Sequence, residues 1–278
     1  MLTGLLRLLG RLPLSFLHAA GAALGWLVYL SSHNYASRLR ENLLQSGLWA
    51  DERDYERLLR ANIAESGRAA AEVAAIWFRP QQETASWVRA VHGWEAVERA
   101  HRDGRGLVLL TPHLGCFEVI AQYLALRFPL TVLYRPPRYR LLEAAMREGR
   151  SRPQLHAAST DLGGVRALLK ALKRGEAVGI LPDQVPGAGE GEWAEFFGRP
   201  AYTMTLASKL AQRTGAASFL THARRLPRGA GYELAFEPLP ARQPGESAAR
   251  HLNRALENLI RRYPEQYLWS YNRYKGQA

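Results

Sequence analysis

The pattern of apolar and polar residues in the N-terminal third of the chain predicts helices. An uncharged stretch runs from Leu12 to Ser32, and its twenty-one residues are close to the roughly 20 needed to cross a bilayer. Residues 34–48 and 51–77 then carry apolar side chains three or four positions apart, as on one face of a helix. We therefore expect one apolar helix followed by two amphipathic helices.

From about Trp94 the pattern changes to short apolar runs that alternate with helical segments. The runs predict strands at Gly106–Leu110, Leu130–Tyr134, Ala177–Leu181, Ala217–Leu220 and, at an edge of the sheet, Tyr232–Glu237. The segments predict helices at Val119–Phe128, Arg140–Glu148, Leu162–Arg174 and Thr203–Thr214. This alternation indicates an α/β fold, a largely parallel sheet flanked by helices. We divide the chain into a membrane-anchor helix (1–32), a helical part (33–93) and an α/β core (94–278).

The uncharged stretch Leu12 to Ser32 has three interpretations, of which we favour a membrane anchor that spans the bilayer or lies in its interface. A buried amphipathic helix is the plain alternative. A cleaved signal peptide fits less well, because the apolar stretch is long and the single Cys116 gives no sign of export. Arginines lie on both sides of the stretch, so the positive-inside rule leaves its orientation open.

Charge indicates an anionic partner. The chain of 278 residues has a formal net charge of +12, and residues 201–278 contain twelve Lys and Arg against five Asp and Glu. Such an excess suits nucleic acid, an anionic membrane surface or an acidic carrier protein. The arginines are scattered among apolar runs without a nucleic-acid-binding pattern, so we rank nucleic acid last. Three arginines form either a carrier-docking face or a solvated loop: Arg224, Arg225 and Arg228.

A histidine and a carboxylate lie five positions apart where the first predicted strand turns into a helix. His113 is suited to proton transfer near neutral pH, and Glu118 could orient its ring and stabilise the imidazolium. Five residues along a straight helix would point the two side chains about 140° apart. The pair therefore requires His113 in the turn and Glu118 in the first turns of the helix.

Polar residues also follow the next two predicted strands. Arg135 comes after the second, and Asp183 and Gln184 come after the third. Ligands of open α/β sheets bind beyond the carboxyl ends of the strands, so these clusters should converge with His113 on one pocket. Separately, Asp183 could cap a helix or close a turn, and Arg135 could form a structural salt bridge.

The chain resembles a known family, the bacterial lipid A biosynthesis acyltransferases of the wider glycerolipid-acyltransferase superfamily. The resemblance extends over nearly the whole length. It rests on the N-terminal apolar helix and on these motifs: Arg38-Leu39-Arg40-Glu41-Asn42-Leu43, the His-x4-Glu pair His113 and Glu118, Tyr134-Arg135-Pro136, Leu181-Pro182-Asp183-Gln184, Phe196-Phe197-Gly198, Pro200-Ala201, Pro264-Glu265-Gln266-Tyr267-Leu268-Trp269 and Arg273.

The resemblance implies an O-acyltransferase of the bacterial inner membrane with its catalytic part on the cytoplasmic face. Acyl carrier protein or acyl-CoA would donate a fatty acyl group to a hydroxyl of an anionic lipid A precursor, without metal or cofactor. His113 would be the general base and Glu118 would orient it. Backbone N–H groups near Gly115 would bind the oxyanion. Arg135 would hold a phosphate or oxyanion, and Asp183 and Gln184 would shape the polar end of the pocket.

Three alternatives stay open. The first is acylation of another lipid hydroxyl, such as that of a glycerophosphate. The second is a thioesterase or other hydrolase with Cys116 as nucleophile, although a small pocket-wall residue is the simpler interpretation of this cysteine. The third is a membrane-bound lipid-binding or scaffold protein without activity, against which the intact His113, Glu118 and Arg135 argue.

Overall fold

A computed structural model describes residues 2–134 and 140–275. The helices are α1 (Leu2–Gly10), α2 (Leu14–Ser31), α3 (His33–Ser46), α4 (Glu52–Phe78), α5 (Gln81–Ser86), α6 (Trp94–Arg102), α7 (Phe117–Leu124), α8 (Arg140–Arg150), α9 (Leu162–Lys173), α10 (Leu206–Thr214) and α11 (Ala248–Arg262). The strands are β1 (Val88–His92), β2 (Leu107–Leu110), β3 (Leu130–Tyr134), β4 (Leu155–Ser159), β5 (Ala177–Ile180), β6 (Gly191–Phe196), β7 (Arg199–Met204), β8 (Ala217–Arg225) and β9 (Tyr232–Pro238). Short 3-10 turns lie at Pro227–Gly229 and Pro264–Gln266.

Within the described residues the main sheet has seven strands in the order β1-β9-β8-β2-β5-β3-β4. All neighbouring pairs are parallel except β8 and β9, which are antiparallel. Strands β6 and β7 form a separate antiparallel hairpin. This confirms the predicted α/β class with a largely parallel sheet flanked by helices.

Polar side chains cap the starts of three helices. Asp51 accepts a hydrogen bond from the Asp54 N–H at the start of α4, over 2.8 Å. Asp161 and Ser247 accept from the third following N–H in the same way at the starts of α9 and α11. These acceptors satisfy donors that have no partner within the helix.

The sheet separates two apolar clusters. The strand β2 is fully buried, and its successive side chains point to opposite faces. Val108 and Leu110 pack into the cluster that contains residues of α3, α9 and α11, whereas Leu107 and Leu109 pack into the one that contains residues of α6 and α7. Burial on both faces explains why this strand is a continuous apolar run with no polar alternation.

The predicted strands and helices after Trp94 are present, with ends that differ by a few residues. The position of β9 was predicted wrongly: it is not an edge strand, because β1 pairs parallel beside it on its outer side. The strand β1 is short and only half-buried. Its sequence therefore contains no continuous apolar run from which a strand could be predicted. The strand β4 and the hairpin strands β6 and β7 were not predicted from the sequence. The strand β7 ends just inside the predicted helix Thr203–Thr214. The proposed division at residue 93 stays a prediction.

The N-terminal apolar segment forms α2, which packs tightly against α4. A Cβ atom at Gly25 would lie 2.2 Å from the Ile63 carbonyl oxygen, and one at Gly67 would lie 2.0 Å from the Gly21 carbonyl oxygen. Only glycine permits two helix backbones to approach this closely. The helix Leu14–Ser31 is nevertheless long and apolar enough to cross a membrane, judged by length and composition. Its outer face exposes large apolar side chains: Phe16, Leu24, Trp26, Leu27, Val28 and Leu30.

A buried ion network joins α2 and α4 to the sheet. Arg225 of β8 donates to the Glu72 carboxylate of α4, with Nε 2.8 Å from Oε2, and also pairs with Glu65. His18 of α2 lies 3.0 Å from Glu72, and the Tyr232 hydroxyl of β9 donates to the same carboxylate over 2.9 Å. Burial by itself would raise the pKa of Glu72, but Arg225 and His18 outweigh it and lower that pKa to about 2.

Because Arg225 and Glu72 are both buried, removal of one partner should destabilise the fold strongly. We expect Glu72→Ala to lower the free energy of unfolding by about 3–5 kcal/mol, since it leaves the guanidinium without its main counter-charge. Chemical unfolding of the detergent-solubilised protein measures this change. A loss below about 1 kcal/mol would contradict the assigned role of the network.

The matched control is Glu143→Ala, which removes the pair between the partly exposed Glu143 and the exposed Arg147 one turn apart on α8. Its effect should stay within about 0.5 kcal/mol. The pH dependence gives a second check. Glu72 has a folded-state pKa of about 2 against an ordinary value of 4.5, so its contribution is complete above pH 4.5. It disappears as the pH falls toward 2.

Candidate active site

Backbone hydrogen bonds join the turn between β2 and α7 to β8 and to the C-terminal segment. The N–H of Gly115 donates to the Gln266 carbonyl over 3.0 Å, and the N–H of Cys116 donates to the Ala223 carbonyl over 2.9 Å. Gly115 has a φ of 61°, and a Cβ atom there would lie 2.0 Å from the Ala223 carbonyl oxygen. Both the conformation and the close approach therefore favour glycine at this position.

His113 lies in this turn and is bonded to Asp183. Its Nδ1 is 2.9 Å from Asp183 Oδ1, and its backbone N–H donates to Oδ2 over 2.9 Å. The two residues meet because β2 and β5 are parallel neighbours, which brings the segments after both strands to one edge of the sheet. Burial by itself would raise the pKa of Asp183, but His113 outweighs it and holds that pKa below its ordinary value. Asp183 is therefore a carboxylate at neutral pH.

The other ring nitrogen of His113 faces Gln184. The Gln184 side-chain nitrogen lies 3.2 Å from His113 Nε2. Because the Asp183 carboxylate can only accept, Nδ1 carries a proton, and in the neutral ring Nε2 carries the lone pair. The Gln184 amide then donates to Nε2, which is the atom available to remove a proton from a substrate.

Glu118 does not occupy the position that the sequence predicted for it. Its carboxylate accepts a hydrogen bond from Trp77 Nε1 over 3.0 Å and pairs with the Arg150 guanidinium, whose Nε lies 3.1 Å away. The described bonds of the His113 ring are those with Asp183 and Gln184. The prediction that Glu118 directly orients His113 is therefore wrong.

The reason lies in the helix geometry. Phe117, the first residue of α7, lies with its ring centroid 4.8 Å from that of His113. Glu118 follows about 100° further around the helix and so points away from His113, toward α4 and α8. His113 lies in the turn and Glu118 in the first turn of the helix, as predicted. The five-residue spacing, however, allows Glu118 to pair either with His113 or with Arg150, and the structure shows the pair with Arg150.

Arg150 is a candidate site residue that the sequence analysis missed. It lies at the end of α8, and its side chain is 23% exposed, so that its charge faces the cleft although Glu118 pairs with it. Its partner precedes it by 32 residues in the chain, and the stretch around it has no recognised motif. An arginine that pairs with the glutamate of the His-x4-Glu motif can be found only from the tertiary structure.

Two expectations concern groups that could bind an anion at this site. Arg135 lies outside the described residues, and its predicted role stays a prediction. The N–H groups of Gly115 and Cys116, at the start of the segment that was expected to bind an oxyanion, already donate to Gln266 and Ala223. An oxyanion would therefore need other donors.

His113, Gln184 and Arg150 line a cleft of about 490 Å³. Its wall is formed mainly by apolar side chains from α1, α4, α7, α8, β3, β7 and the segment after β5: Leu6, Ala70, Val73, Ala74, Trp77, Phe117, Leu133, Met146, Leu181, Val185, Pro186 and Met204. A smaller apolar pocket of about 50 Å³ shares Phe117 and Arg150 with the cleft and extends between the sheet and α7. Its inner lining includes Leu109, Ile120, Ala121, Leu124, Leu130, Val132, Leu155 and Gly179.

Cys116 is poorly placed to act as a nucleophile. It is only 2% exposed and packs in the apolar cluster beside α7. Burial raises the pKa of its thiol well above the ordinary value, which disfavours the reactive thiolate. Among the described residues, no group of three or more His, Cys, Asp or Glu side chains is arranged to hold a metal ion.

A histidine whose Nδ1 is held by a buried carboxylate and whose Nε2 borders an apolar cleft can activate a hydroxyl for attack on an acyl group. The chain belongs to the bacterial lipid A biosynthesis acyltransferase family, whose family model matches residues 1–276. The protein is therefore an O-acyltransferase that acts in lipid A biosynthesis.

Characterised relatives are similar over nearly the whole chain. A lipid A biosynthesis palmitoleoyltransferase of Escherichia coli (strain K12) is 29% identical over 275 residues, which covers 98% of this chain and 89% of the relative. A lipid A biosynthesis lauroyltransferase of the same strain is 28% identical over 276 residues, with the same coverage. A lipid A biosynthesis acyltransferase of Haemophilus influenzae is 26% identical over 276 residues, covering 95% of this chain and 86% of the relative.

The bond between His113 and Asp183 leads to a kinetic prediction. We expect Asp183→Asn to lower kcat by about 10²–10⁴-fold, because an amide neither fixes the ring tautomer nor stabilises the imidazolium. The double variant His113→Ala/Asp183→Asn should be little worse than His113→Ala alone, since the two residues act as one unit. Acyl transfer followed by mass spectrometry gives these rates.

Glu118→Gln is the matched control, because it makes the same carboxylate-to-amide change at the residue that holds Arg150. We expect it to raise KM for an anionic acceptor more than it lowers kcat. A near-normal kcat for Asp183→Asn, together with a large loss for Glu118→Gln, would show that Glu118 and not Asp183 supports the base.

Proposed function

We propose that this protein transfers a fatty acyl group from acyl carrier protein to a hydroxyl of a lipid A precursor, with His113 as the general base. The observation that carries the proposal is the pair of His113 and Asp183, whose histidine lines a largely apolar cleft. Membership of the lipid A acyltransferase family supports both the acyl group and the acceptor. Acyl-CoA is the alternative donor.

The geometry supports a direct transfer. The acceptor hydroxyl takes the place of the Gln184 amide beside His113 Nε2 and loses its proton to that nitrogen as its oxygen attacks the thioester carbonyl carbon. Asp183 accepts from Nδ1–H throughout and stabilises the imidazolium. The tetrahedral intermediate then breaks its carbon–sulfur bond, and His113 returns the proton to the departing thiolate.

The negative charge on the intermediate needs donors near Nε2. The Gln184 side-chain amide is one candidate, because it already lies beside that nitrogen and can turn toward the oxyanion. The N–H groups of Phe117 and Glu118 in the first turn of α7 have no helical carbonyl one turn earlier to bond to. They are a second source, since Phe117 lines the cleft.

We assign Arg150 to an anionic group of the acceptor. Its guanidinium lines the cleft, and Glu118 and the face of the Trp77 ring fix its position. A planar guanidinium held in this way is suited to a phosphate, which it can bind through two parallel hydrogen bonds. The glutamate of the His-x4-Glu motif would then support acceptor binding and not the base. Arg135 remains a second candidate for the same role.

The apolar pocket between the sheet and α7 is our candidate for the acyl chain. It begins beside Phe117, against which the His113 ring lies, and its inner wall is apolar. At about 50 Å³ it is much smaller than a fatty acyl chain, so its walls would have to separate when the chain enters. The apolar wall of the larger cleft would bind the remaining hydrocarbon.

For location, we propose the bacterial inner membrane with the catalytic part on the cytoplasmic face. The exposed apolar face of α2 supports contact with lipid. The carrier-docking face suggested by the sequence requires a correction, because Arg225 is buried in the ion pair with Glu72. Arg224, which pairs with Glu233, retains partial exposure.

Mass analysis of lipid A tests the function. A strain that lacks the gene should lose one secondary acyl chain from lipid A, and the wild-type protein should restore it. His113→Ala should fail to restore the chain. Unchanged lipid A with altered phospholipid would instead support acylation of another lipid hydroxyl, such as that of a glycerophosphate.

Cys116→Ala is the matched control within the same turn. It should restore lipid A fully, because direct transfer requires no acyl-enzyme. An acylated Cys116, trapped by mass spectrometry and converted to product, would overturn direct transfer. Purified protein with equal concentrations of acyl carrier protein or CoA thioesters then decides the donor from the ratio of the two kcat/KM values.

The membrane role of α2 is best tested by surface substitutions. Deletion of residues 1–32 would remove His18 from the buried ion network, whereas Leu24 and Leu27 are exposed and can be changed without that loss. We expect Leu24→Glu/Leu27→Glu to weaken membrane partitioning by at least roughly 100-fold, because two leucines no longer enter the lipid. Sedimentation with membranes in high salt measures this partitioning.

The control variant Leu44→Glu changes an exposed leucine on α3 and should leave partitioning unchanged. Activity of the double variant should fall less on acceptor dispersed in detergent than on acceptor in bilayers. If the double variant still sediments quantitatively with membranes, the apolar anchor lies elsewhere in the chain.

A further inference from the structure

A polar pocket of about 450 Å³ lies apart from the catalytic cleft. Its lining comes from the start of α3, the start of β7 and the C-terminal segment, and shares no residue with the cleft. We name it the α3 pocket and define it by His33, Asn34, Ser37, Arg38, Glu41, Asn42, Arg199, Asn272 and Tyr274. Neither the catalytic mechanism nor the acyl chain uses any of these side chains.

The pocket contains two arginines that form no ion pair among the described residues, although Glu41 also lines it. Among residues 2–134 and 140–275, no carboxylate oxygen lies within 4.0 Å of a side-chain nitrogen of Arg38 or Arg199. In the same described residues, Arg199 Nη1 is buried and has no hydrogen-bond partner. A buried guanidinium nitrogen without a partner is costly, and a bound anion would satisfy it.

The geometry of Arg199 suits an anion that is bound through two hydrogen bonds. Its guanidinium carbon lies 4.0 Å from the centroid of the Tyr274 ring, which fixes the plane of the group. A guanidinium that stacks on an aromatic ring keeps the N–H groups along its edge available for a ligand. Two of these N–H groups match the spacing of two phosphate oxygens.

The start of α3 adds positive potential on the same side. Its N-cap residue Ser32 makes no side-chain cap hydrogen bond, and its first turn contains no acidic residue. The free N–H groups and the helix dipole therefore favour an anion there. Neutral polar side chains such as Asn34, Ser37 and Asn272 can bind the hydroxyls that accompany a phosphate, and Glu41 can accept from one of them.

We infer that the α3 pocket binds a phosphate group of a membrane lipid headgroup. The position supports the lipid source, because the apolar helix α2 ends at Ser31 and the pocket begins at His33. A lipid in contact with the exposed face of α2 would have its headgroup near this end of the helix. The choice of a lipid rests on the proposed membrane location, whereas the phosphate chemistry rests on the two arginines and the start of α3.

The test uses the full-length protein in detergent micelles and three soluble probes. Dihexanoyl phosphatidic acid carries the phosphate on a lipid, inorganic phosphate carries it alone, and dihexanoylglycerol lacks it. Calorimetric titration should show that Arg199→Gln weakens phosphatidic acid binding by roughly tenfold or more, since charge-assisted hydrogen bonds are lost. Arg38→Gln should weaken it in the same direction, and Arg199→Lys should recover part of the loss.

Arg213→Gln is the matched control, because Arg213 is an exposed arginine of α10 that does not line the pocket. It should bind phosphatidic acid as the wild type does. Arg38 has an exposed side chain, so Arg38→Gln keeps the test valid even if Arg199→Gln fails to fold. Binding of dihexanoylglycerol should not depend on either arginine.

If Arg199→Gln and Arg38→Gln bind both phosphate probes within twofold of the wild type, the inference is wrong. Inorganic phosphate that binds as tightly as phosphatidic acid, and loses affinity in the same variants, would overturn the lipid source. This measurement does not depend on catalysis. A protein without lipid A acyltransferase activity whose phosphatidic acid binding still depends on Arg199 would refute the proposed function and leave the α3 pocket in place.

Discussion

The buried pair of Glu72 and Arg225 connects the parts of this molecule that function must coordinate. Arg225 lies on β8, and its backbone N–H and carbonyl both bond to the Gln266 side chain. The backbone carbonyl of Gln266 also accepts a hydrogen bond from the N–H of Gly115, which lies in the same turn as His113. Through His18, the same carboxylate of Glu72 holds the apolar helix α2. The surface suited to lipid and the turn with the candidate base are therefore supported by one buried network. A buried charge without its partner is costly, and this cost favours a single arrangement of the two.

The candidate site separates the roles of two carboxylates. Asp183 holds the ring of His113, and Glu118 holds the guanidinium of Arg150. Each pair joins segments that are distant in the chain, and both pairs border one cleft. An imidazole suited to proton transfer and a guanidinium suited to an anion thereby line the same cleft. This combination suits the proposed acyl transfer to a hydroxyl of a phosphorylated lipid, because the base would act while the anionic acceptor is held.

Much of the candidate site could be predicted from the sequence, but its pairings could not. Apolar runs marked β2 and β5, and the rule that ligands bind beyond strand ends grouped His113 with Asp183 and Gln184. The partner of His113 was misjudged, because a five-residue spacing at a strand–helix junction does not show toward which side the first helical turn faces. Arg150 was missed for a similar reason, since its link to Glu118 arises only when α7 and α8 both pack against α4.

The sequence by itself determined the fold class, the apolar N-terminal helix, the family and the residues around the catalytic turn. These follow from local patterns, because strand burial, helix periodicity and short motifs are written in neighbouring positions. Only the tertiary structure decided that β1 covers β9, that glycines seat α2 against α4, and that Arg225 is buried instead of exposed on a docking face. Each of these depends on contacts between segments far apart in the chain. A side chain's burial and its ionic partner are set by the packing of those segments, which local spacing does not encode.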